Sequence, residues 1–443
     1  MVQFTNKNWC RQVKLKIQNV ARVSIAEIDL GGITVIAGAN GTGKSTVSRA
    51  LMTLSSVSKR IPKLVQAERL TSMVGNLRDV FLKAGANTFL VGEKVDVKSP
   101  HWAQWFSKDW WNDTEAVLNW LREGMAKQNV GSLLVFPSDF IDRPDCRSAI
   151  EAARVKIFEA MDRKDEDYVQ YICKKAFSKA FCDQLKPVFS TESDSLIEVS
   201  ENDLKCSIGF DAGNVDSFVD VGRTFFPTVM YFEPLNYVDF INVPEWRVSD
   251  RYAAGGLCVC RAINRKPSDN RLSLEQDKEL QEAVQGVNEI VGIIHGRLVD
   301  DTDQEIKFSE KFTNGEFLID VKNIASGMKT MAAIVRAVEN RSIQRGSLLI
   351  IDEPESNLHP EWQVQFARFL VLLCKRLGIT LLLNTHSPYF LQAIRKYAKI
   401  GEVKNRYYNM TSDGNGDSFH AENVTDRINV VFRDMAAPFD DLD

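Results

Sequence analysis

The chain has 443 residues, room for roughly two or three domains. It is 44% hydrophobic and 26% charged with a formal net charge of −4, ordinary globular usage that excludes a disordered chain and a uniformly basic nucleic-acid binder. No run of about 18 apolar residues is present, which excludes a helical membrane span.

The N-terminus, MVQFTNKNWCRQVKLK, lacks the apolar stretch of a signal peptide, and a cytoplasmic location is expected. The eight cysteines are scattered without a C-x-x-C pair, so they read as free thiols and not as a disulfide framework or zinc site.

Gln12 to Ile17 and Val23 to Leu30 alternate apolar and polar residues, the pattern of two antiparallel strands joined at Asn19-Val20-Ala21-Arg22. A Gly31-Gly32 turn leads into Ile33-Thr34-Val35-Ile36, a β-branched run that predicts a buried strand. That strand enters Gly38-Ala39-Asn40-Gly41-Thr42-Gly43-Lys44-Ser45, a complete G-x-x-x-x-G-K-[ST] sequence. Its glycines let the backbone turn tightly and aim N–H groups at a polyphosphate. Lys44 can reach the β- and γ-phosphates, and Ser45 offers its hydroxyl to Mg²⁺. Thr46 to Leu54 predicts a helix whose N-terminus adds partial positive charge beneath the phosphates. The expected nucleotide-binding set is Gly38, Asn40, Gly41, Thr42, Gly43, Lys44, Ser45 and Thr46.

Lys59 to Leu82 is mixed basic and apolar and predicts further helix. His101 to Trp111 is dense in tryptophan and reads as a helix packing its indoles into a local core; base stacking beside Lys108 is the alternative. Ser148 to Phe181 predicts one or two helices, with apolar spacing too irregular for a long coiled coil. Thr228 to Phe232 predicts another buried strand, ending at Glu233-Pro234. Leu272 to His295 predicts a helix. Glu305 to Phe308 and Phe317 to Val321 alternate like strands about an Asn314-Gly315 turn.

Leu348-Leu349-Ile350-Ile351 predicts a parallel buried strand, and it ends in the acid pair Asp352-Glu353. Ligands of open α/β sheets gather at that edge. Asp352 can hold Mg²⁺, and Glu353 is placed to polarise the water that attacks a γ-phosphate. Asp300 to Lys307 contains an E-x-K after acids, a short pattern common by chance. A hairpin is expected around Asp413 to Asp417, then a capped helix from Thr425.

The phosphate loop with its Asn40 resembles that of ABC-type ATPases, especially the SMC/RecF branch. Ala325-Ser326-Gly327-Met328-Lys329 resembles a degenerate form of the signature LSGG[QE]. Ser356-Asn357-Leu358-His359-Pro360 resembles the D-loop, and Asn384-Thr385-His386-Ser387-Pro388 the switch-histidine segment. The wording DEPESNLHPEWQ and NTHSPYF looks most like the overlapping-lysogenization-defect (OLD) group and its relatives among bacterial antiphage systems, including PtuA of Septu and AriA of PARIS. The resemblance covers the first and last parts of the chain and not the middle.

This resemblance implies an α/β fold, an ABC-type ATPase head with a large inserted helical and mixed region. Residues 1–56 would form the first part of lobe I, 57–194 the insertion, 195–299 the rest of lobe I with a connecting helix, and 300–443 lobe II. It implies ATP and Mg²⁺ as ligands, Glu353 and His386 as catalytic residues, and Ser45 and Asp352 at the metal. It implies that Ser326 and Gly327 complete the ATP site of a second copy, so a homodimer or larger homo-oligomer is expected. Ser326 also reads as the N-cap of a helix from Gly327 to Glu339, and Lys329, where the family has Gln or Glu, reads as solvated. His359 would shape the D-loop; no Q-loop is placed, since Glu233 sits where one would begin but is not glutamine. The residues after His386 are too few for the Toprim nuclease domain of OLD proteins. Three functions follow: a switch subunit controlling a separate nuclease or toxin effector, a RecF-like DNA-binding repair ATPase using Arg395, Lys396, Lys399, Lys404 and Arg406, and, weakest, a transporter ATPase.

Overall fold

A computed structural model describes residues 12–83, 162–187, 194–234, 237–242, 254–265, 294–414 and 416–440, with isolated positions between 148 and 160 and between 287 and 292. The tryptophan-rich stretch at 101–111 and most of the helix expected over 272–295 lie outside them. The chain divides into two compact units, residues 1–59 with 174–443, and residues 60–173.

The first unit is built on an 11-stranded sheet. Its chain order begins β1 (Val13–Val20), β2 (Val23–Leu30), β3 (Ile33–Ala37) and α1 (Lys44–Lys83). After α2 (Asp165–Phe181) come β4 (Asp194–Glu201), β5 (Leu204–Asp211), β6 (Asn214–Val219), β7 (Val229–Phe232) and α3 (Ala254–Asn264). A separate three-stranded sheet follows, β8 (Gly296–Asp300), β9 (Ile306–Phe312) and β10 (Gly315–Asp320). The chain ends in α4 (Ser326–Glu339), β11 (Leu348–Asp352), α5 (Pro360–Leu377), β12 (Thr380–Thr385), α6 (Pro388–Gly401), β13 (Asn405–Ser412), β14 (Phe419–Asn423) and α7 (Asn429–Asp440).

The large sheet has two characters. Strands β7, β11, β12, β3 and β13 run parallel to one another in that order. Every residue of β3 and β11 is buried, as expected of strands covered on both faces. Strands β2, β1, β4, β5 and β6 form an antiparallel wing, joined to the parallel half through β14 and β13. In β1 every second residue faces the core: Val13, Leu15 and Ile17 are fully buried while Lys14 and Lys16 are not.

One apolar cluster ties the parallel strands to their helices, with Ile33 and Val35 of β3, Met331 and Val335 of α4, Leu349 of β11, Phe366 and Leu370 of α5, and Phe390 and Ile394 of α6. Each such fully buried side chain contributes about 1.5–3 kcal/mol relative to exposure. Helices α5 and α6 start where the sequence makes them start. Pro360 and Pro388 take the first positions, where the missing N–H costs nothing. The His359 side chain caps α5, accepting from the Glu361 N–H, and the Ser387 hydroxyl caps α6, accepting from the Phe390 N–H. Gly378 ends α5 at φ 60°, a left-handed position that suits glycine.

Several expectations are corrected. The helix after the phosphate loop does not stop at Leu54; it runs unbroken to Lys83 with Pro62 inside it. Strand β1 continues past Ile17 to Val20, so only Ala21-Arg22 form the turn. The segment at Thr425 is a short 3₁₀ turn, and the α-helix begins at Asn429. The acids before Lys307 form a turn: Asp301 Oδ1 accepts from the N–H groups of Asp303 and Glu305, and Lys307 pairs with Glu305 at 2.8 Å. Among the described residues, Cys182, Cys206 and Cys374 are free thiols. No helix among the described residues is long and apolar enough to cross a membrane.

The second unit holds its own contacts. Tyr168 donates its hydroxyl to the Ala160 carbonyl at 2.9 Å, and the guanidinium of Arg69 lies 4.9 Å from the Tyr168 ring while also pairing with Asp165.

Candidate nucleotide site

The site lies at the C-terminal edge of β3, β12 and β11. These three strands are neighbours, with β12 between the other two. That order is what brings the three motifs together. The phosphate loop leaves β3, the acid pair ends β11, and the Asn384-Thr385-His386 segment ends β12.

The loop turns through Gly38 at φ 146°, Gly41 at φ 78° and Gly43 at φ 91°. A Cβ on Gly43 would come within 2.8 Å of Val23 Cγ2, so this glycine serves both its dihedral and the close approach of β2. Thr42 donates its hydroxyl to the Ala39 carbonyl at 2.8 Å and holds the loop closed. Asn40, Gly41 and Ser45 are exposed, while Thr46 is half-buried. Lys44 is buried and folds back over the loop, donating to the carbonyls of Gly38 at 2.8 Å and Ala39 at 2.7 Å. Burial pushes its ammonium below the usual lysine value, and the nearby carboxylates of Glu353, Glu355 and Asp352 partly offset this. Arg22, from the β1–β2 turn, donates to the Gly41 carbonyl at 3.1 Å.

Asp352 is the most enclosed acid of the site. Tyr231 donates its hydroxyl to Asp352 Oδ2 at 2.7 Å, Asn384 donates to Oδ1 at 2.5 Å, and Ser45 and Ser48 also hydrogen-bond the carboxylate. Burial still holds the carboxyl above its usual value, against the pull of those donors. Asn384 bridges the arrangement, since the same amide nitrogen also reaches Ser48 Oγ at 2.7 Å. Its own Oδ1 is buried and without a partner among the described residues.

Glu353 adopts φ 48°, an uncommon conformation for a residue with a Cβ. The Asn384 carbonyl fixes it there by accepting from the Glu353 N–H at 2.8 Å. Its carboxylate receives the Ser356 hydroxyl at 3.0 Å and remains half-buried. His386 is exposed at the end of β12, with Nδ1 3.4 Å from Glu355 Oε1. Asn357 in the D-loop segment is also left-handed, at φ 60°.

The signature segment meets this edge from α4. Gly327 is buried so closely against Leu358 that a Cβ would fall 1.9 Å from Leu358 Cδ2. Gly327, Glu233, Asp352, Glu353 and Asn357 line one cavity of about 20 Å³. Two expectations for this segment fail. Ser326 is not the helix N-cap; α4 begins at Ser326 itself, because the Ala325 carbonyl already accepts from the N–H groups of Met328 and Lys329, and Ala325 provides no side-chain cap. Lys329 is not solvated: it is buried, with its ammonium 2.6 Å from Asp239 Oδ1 and 3.3 Å from the Lys322 carbonyl.

Tyr231, Ser48, Glu355 and Arg22 were not singled out by the sequence. Ser48 had a signal, lying one helical turn beyond Lys44 on the same face. Tyr231 and Arg22 had none, since their place depends on which strand pairs with β11 and which turn meets the loop.

The residues fit a polyphosphate and a hard cation. Loop N–H groups and the N-terminus of α1 suit anionic oxygens. The Ser45 hydroxyl beside the Asp352 carboxylate, with the unpartnered Asn384 Oδ1 close by, is an all-oxygen donor set of the kind Mg²⁺ prefers. Among the described residues no cluster of three His, Cys, Asp or Glu side chains forms a self-sufficient metal site.

The fold and the spatial grouping of its motifs are those of a P-loop ATPase. A family profile described as "AAA domain, putative AbiEii toxin, Type IV TA system" matches residues 265–392. No curated protein matches the sequence. Among solved structures, the chain is similar to the SMC head domain from Thermotoga maritima, at 11% identity and TM-score 0.39, over 94% of this chain and 99% of that one. It is also similar to an SmcHead bound to the C-winged helix domain of ScpA, at 10% identity and TM-score 0.44, over 93% and 97%. A third similar structure is the Smc head domain with an extended coiled coil bound to the C-terminal domain of ScpA derived from Pyrococcus furiosus, at 9% identity and TM-score 0.41, over 95% and 97%.

Proposed function

We propose that the chain is an Mg²⁺-dependent, ABC-type ATPase that acts as the switch subunit of a bacterial antiphage system and controls a separate nuclease or toxin effector. The observation that carries the ATPase reading is that Lys44, Asp352, Glu353 and His386 follow the ends of the neighbouring strands β3, β11 and β12, where Asn384 bonds Ser48, Asp352 and the Glu353 N–H. In this reading Lys44 leaves the carbonyls of Gly38 and Ala39 for the β- and γ-phosphates. The loop N–H groups of 41–45 hold the phosphate oxygens. Ser45 and Asp352 would hold Mg²⁺, which would supply charge neutralisation to the phosphates. Glu353 accepts a proton from the attacking water, and His386 meets the γ-phosphate. The switch role rests on the resemblance of the DEPESNLHPEWQ and NTHSPYF wording to that of antiphage ATPase subunits.

The sites are completed in trans, with Ser326 and Gly327 of one copy serving the nucleotide held by Lys44 of another. Mixing two single variants tests this. Lys44→Ala lacks a working phosphate loop and Ser326→Arg lacks a working signature; each alone should be inactive, and their mixture should recover turnover. A mixture that stays inactive while light scattering shows mixed oligomers rejects the trans site. The signature would then serve its own chain, with which it already shares a cavity.

A DNA-binding repair role is the second reading. Arg395, Lys396 and Lys399 are exposed on α6 and favour it. In the rest of that expected basic stretch Lys404 is half-buried, and Arg406 pairs with Asp29 at 3.5 Å. DNA affinity that falls steeply with salt would favour this reading over the switch.

A further inference from the structure

Two residues beyond the acid pair lies a third carboxylate that neither the phosphate loop nor the metal donors use. Glu355 has a side chain only 4% exposed. Its Oε1 accepts from the Thr385 hydroxyl and from the His386 N–H, both at 2.8 Å, and stands 3.4 Å from His386 Nδ1. Its Oε2 is buried with no hydrogen-bond partner among the described residues. A buried carboxylate with an unmatched oxygen is costly, so a group that only closed a turn would be better served by a neutral side chain. The cost is explained if the negative charge itself is used.

We infer that Glu355 is a positioning residue that fixes the ring of His386. The inference rests on the ATPase reading above and names how its switch histidine is prepared. Glu353 and Glu355 divide the work of the loop. Glu353 lies half-buried toward the site, engaged by Ser356. Glu355 faces the end of β12 and accepts from the His386 backbone N–H and the Thr385 hydroxyl, with the ring's Nδ1 3.4 Å from the same oxygen. With the Nδ1 proton directed at Glu355, Nε2 is the ring atom left to face outward. An imidazole's second nitrogen is set by the partner of its first, as in metal sites where a carboxylate orients a ligating histidine. Glutamine in its place would keep an oxygen for the Thr385 hydroxyl and the His386 N–H, but would remove the charge.

The test is a double-variant cycle on the full chain, reading kcat and KM for ATP. Glu355→Gln should lower kcat by about tenfold or more with KM within about threefold, and its melting temperature should stay near that of wild type. In a His386→Ala background the same substitution should cost no further turnover, because both changes remove one unit. Turnover of Glu355→Gln within about twofold of wild type, or losses that multiply in the double variant, would overturn the inference.

Should Glu355→Gln fail to fold, the ring of His386 in the wild-type protein decides the matter. Nitrogen chemical shifts should place a proton on Nδ1 at neutral pH, whereas a ring protonated on Nε2 alone would overturn the proposal. If wild type shows no ATP turnover, the functional reading fails while the ring measurement still stands. If His386→Ala slows turnover and Glu355→Gln does not, the functional reading stands and Glu355 is only a loop clamp.

Discussion

The two halves of the large sheet are built from the same residue types and do different things. In the antiparallel wing, Leu15, Ile17, Ile197 and Ile208 point to one face and polar residues alternate between them. The parallel half is buried on both faces, and its polar residues collect where β3, β12 and β11 end. The wing is held by side-chain burial spread over many residues. The edge is held by a few directed contacts among Asp352, Asn384, Ser48 and Tyr231. Damage to the wing should therefore reach stability first, and damage to the edge should reach nucleotide chemistry first.

The largest effect that separates the halves is at Lys44. Lys44→Ala should weaken ATP binding by about a hundredfold or more, read by calorimetry, since it removes the charged partner of the phosphates. Its melting temperature without nucleotide should change little, because the ammonium is buried at a desolvation cost. Loss of folding in this variant would break the comparison.

Ile17→Ala is the counterpart in the wing. Ile17 is fully buried, and its truncation should cost about 2–4 kcal/mol in denaturant unfolding. ATP affinity of the folded fraction should stay within about threefold of wild type. A strong loss of affinity would mean that the wing shapes the site directly.

The smallest expected effect lies at Asp352 and is read through pH. Burial raises this carboxyl above its usual value, so the folded protein takes up the proton at a pH where the unfolded chain is still ionised. The cost of burying the charge is full above the folded value and fades as pH falls through it. Without nucleotide or Mg²⁺, the stability of wild type relative to Asp352→Asn should rise as pH falls through the folded value toward the ordinary carboxylate range, read by denaturant unfolding. A difference that does not vary with pH would mean that the donors around Asp352 fully compensate its burial.

Much of the edge was legible because its motifs are contiguous. Gly38 to Ser45, Asp352-Glu353 and Thr385-His386 each carry their chemistry within a few residues, and each sits at the end of a strand announced by apolar residues. Strand order was not legible. That β12 lies between β3 and β11 makes Asn384 the bridge between Ser48 and Asp352, and nothing local to Asn384 says so. Lys329 and Ser326 were misread for related reasons. The acid that buries Lys329 is Asp239, far away in sequence, and the first carbonyl of α4 comes from Ala325 instead of the residue with the better capping side chain. The helices expected over Thr46 to Leu54 and Lys59 to Leu82 prove to be one, α1, which continues through Pro62.

The account turns on Glu353 as the group that activates water at an otherwise intact site. The most direct measurement is phosphate release in a single turnover by Glu353→Gln, with ATP binding followed in the same samples. The substitution keeps the size of the side chain and an oxygen for the Ser356 hydroxyl, so binding should be retained within about threefold. Phosphate release should fall by about a hundredfold or more. Release that persists at the wild-type rate in a variant with normal binding would contradict the account and move the general base elsewhere on this edge.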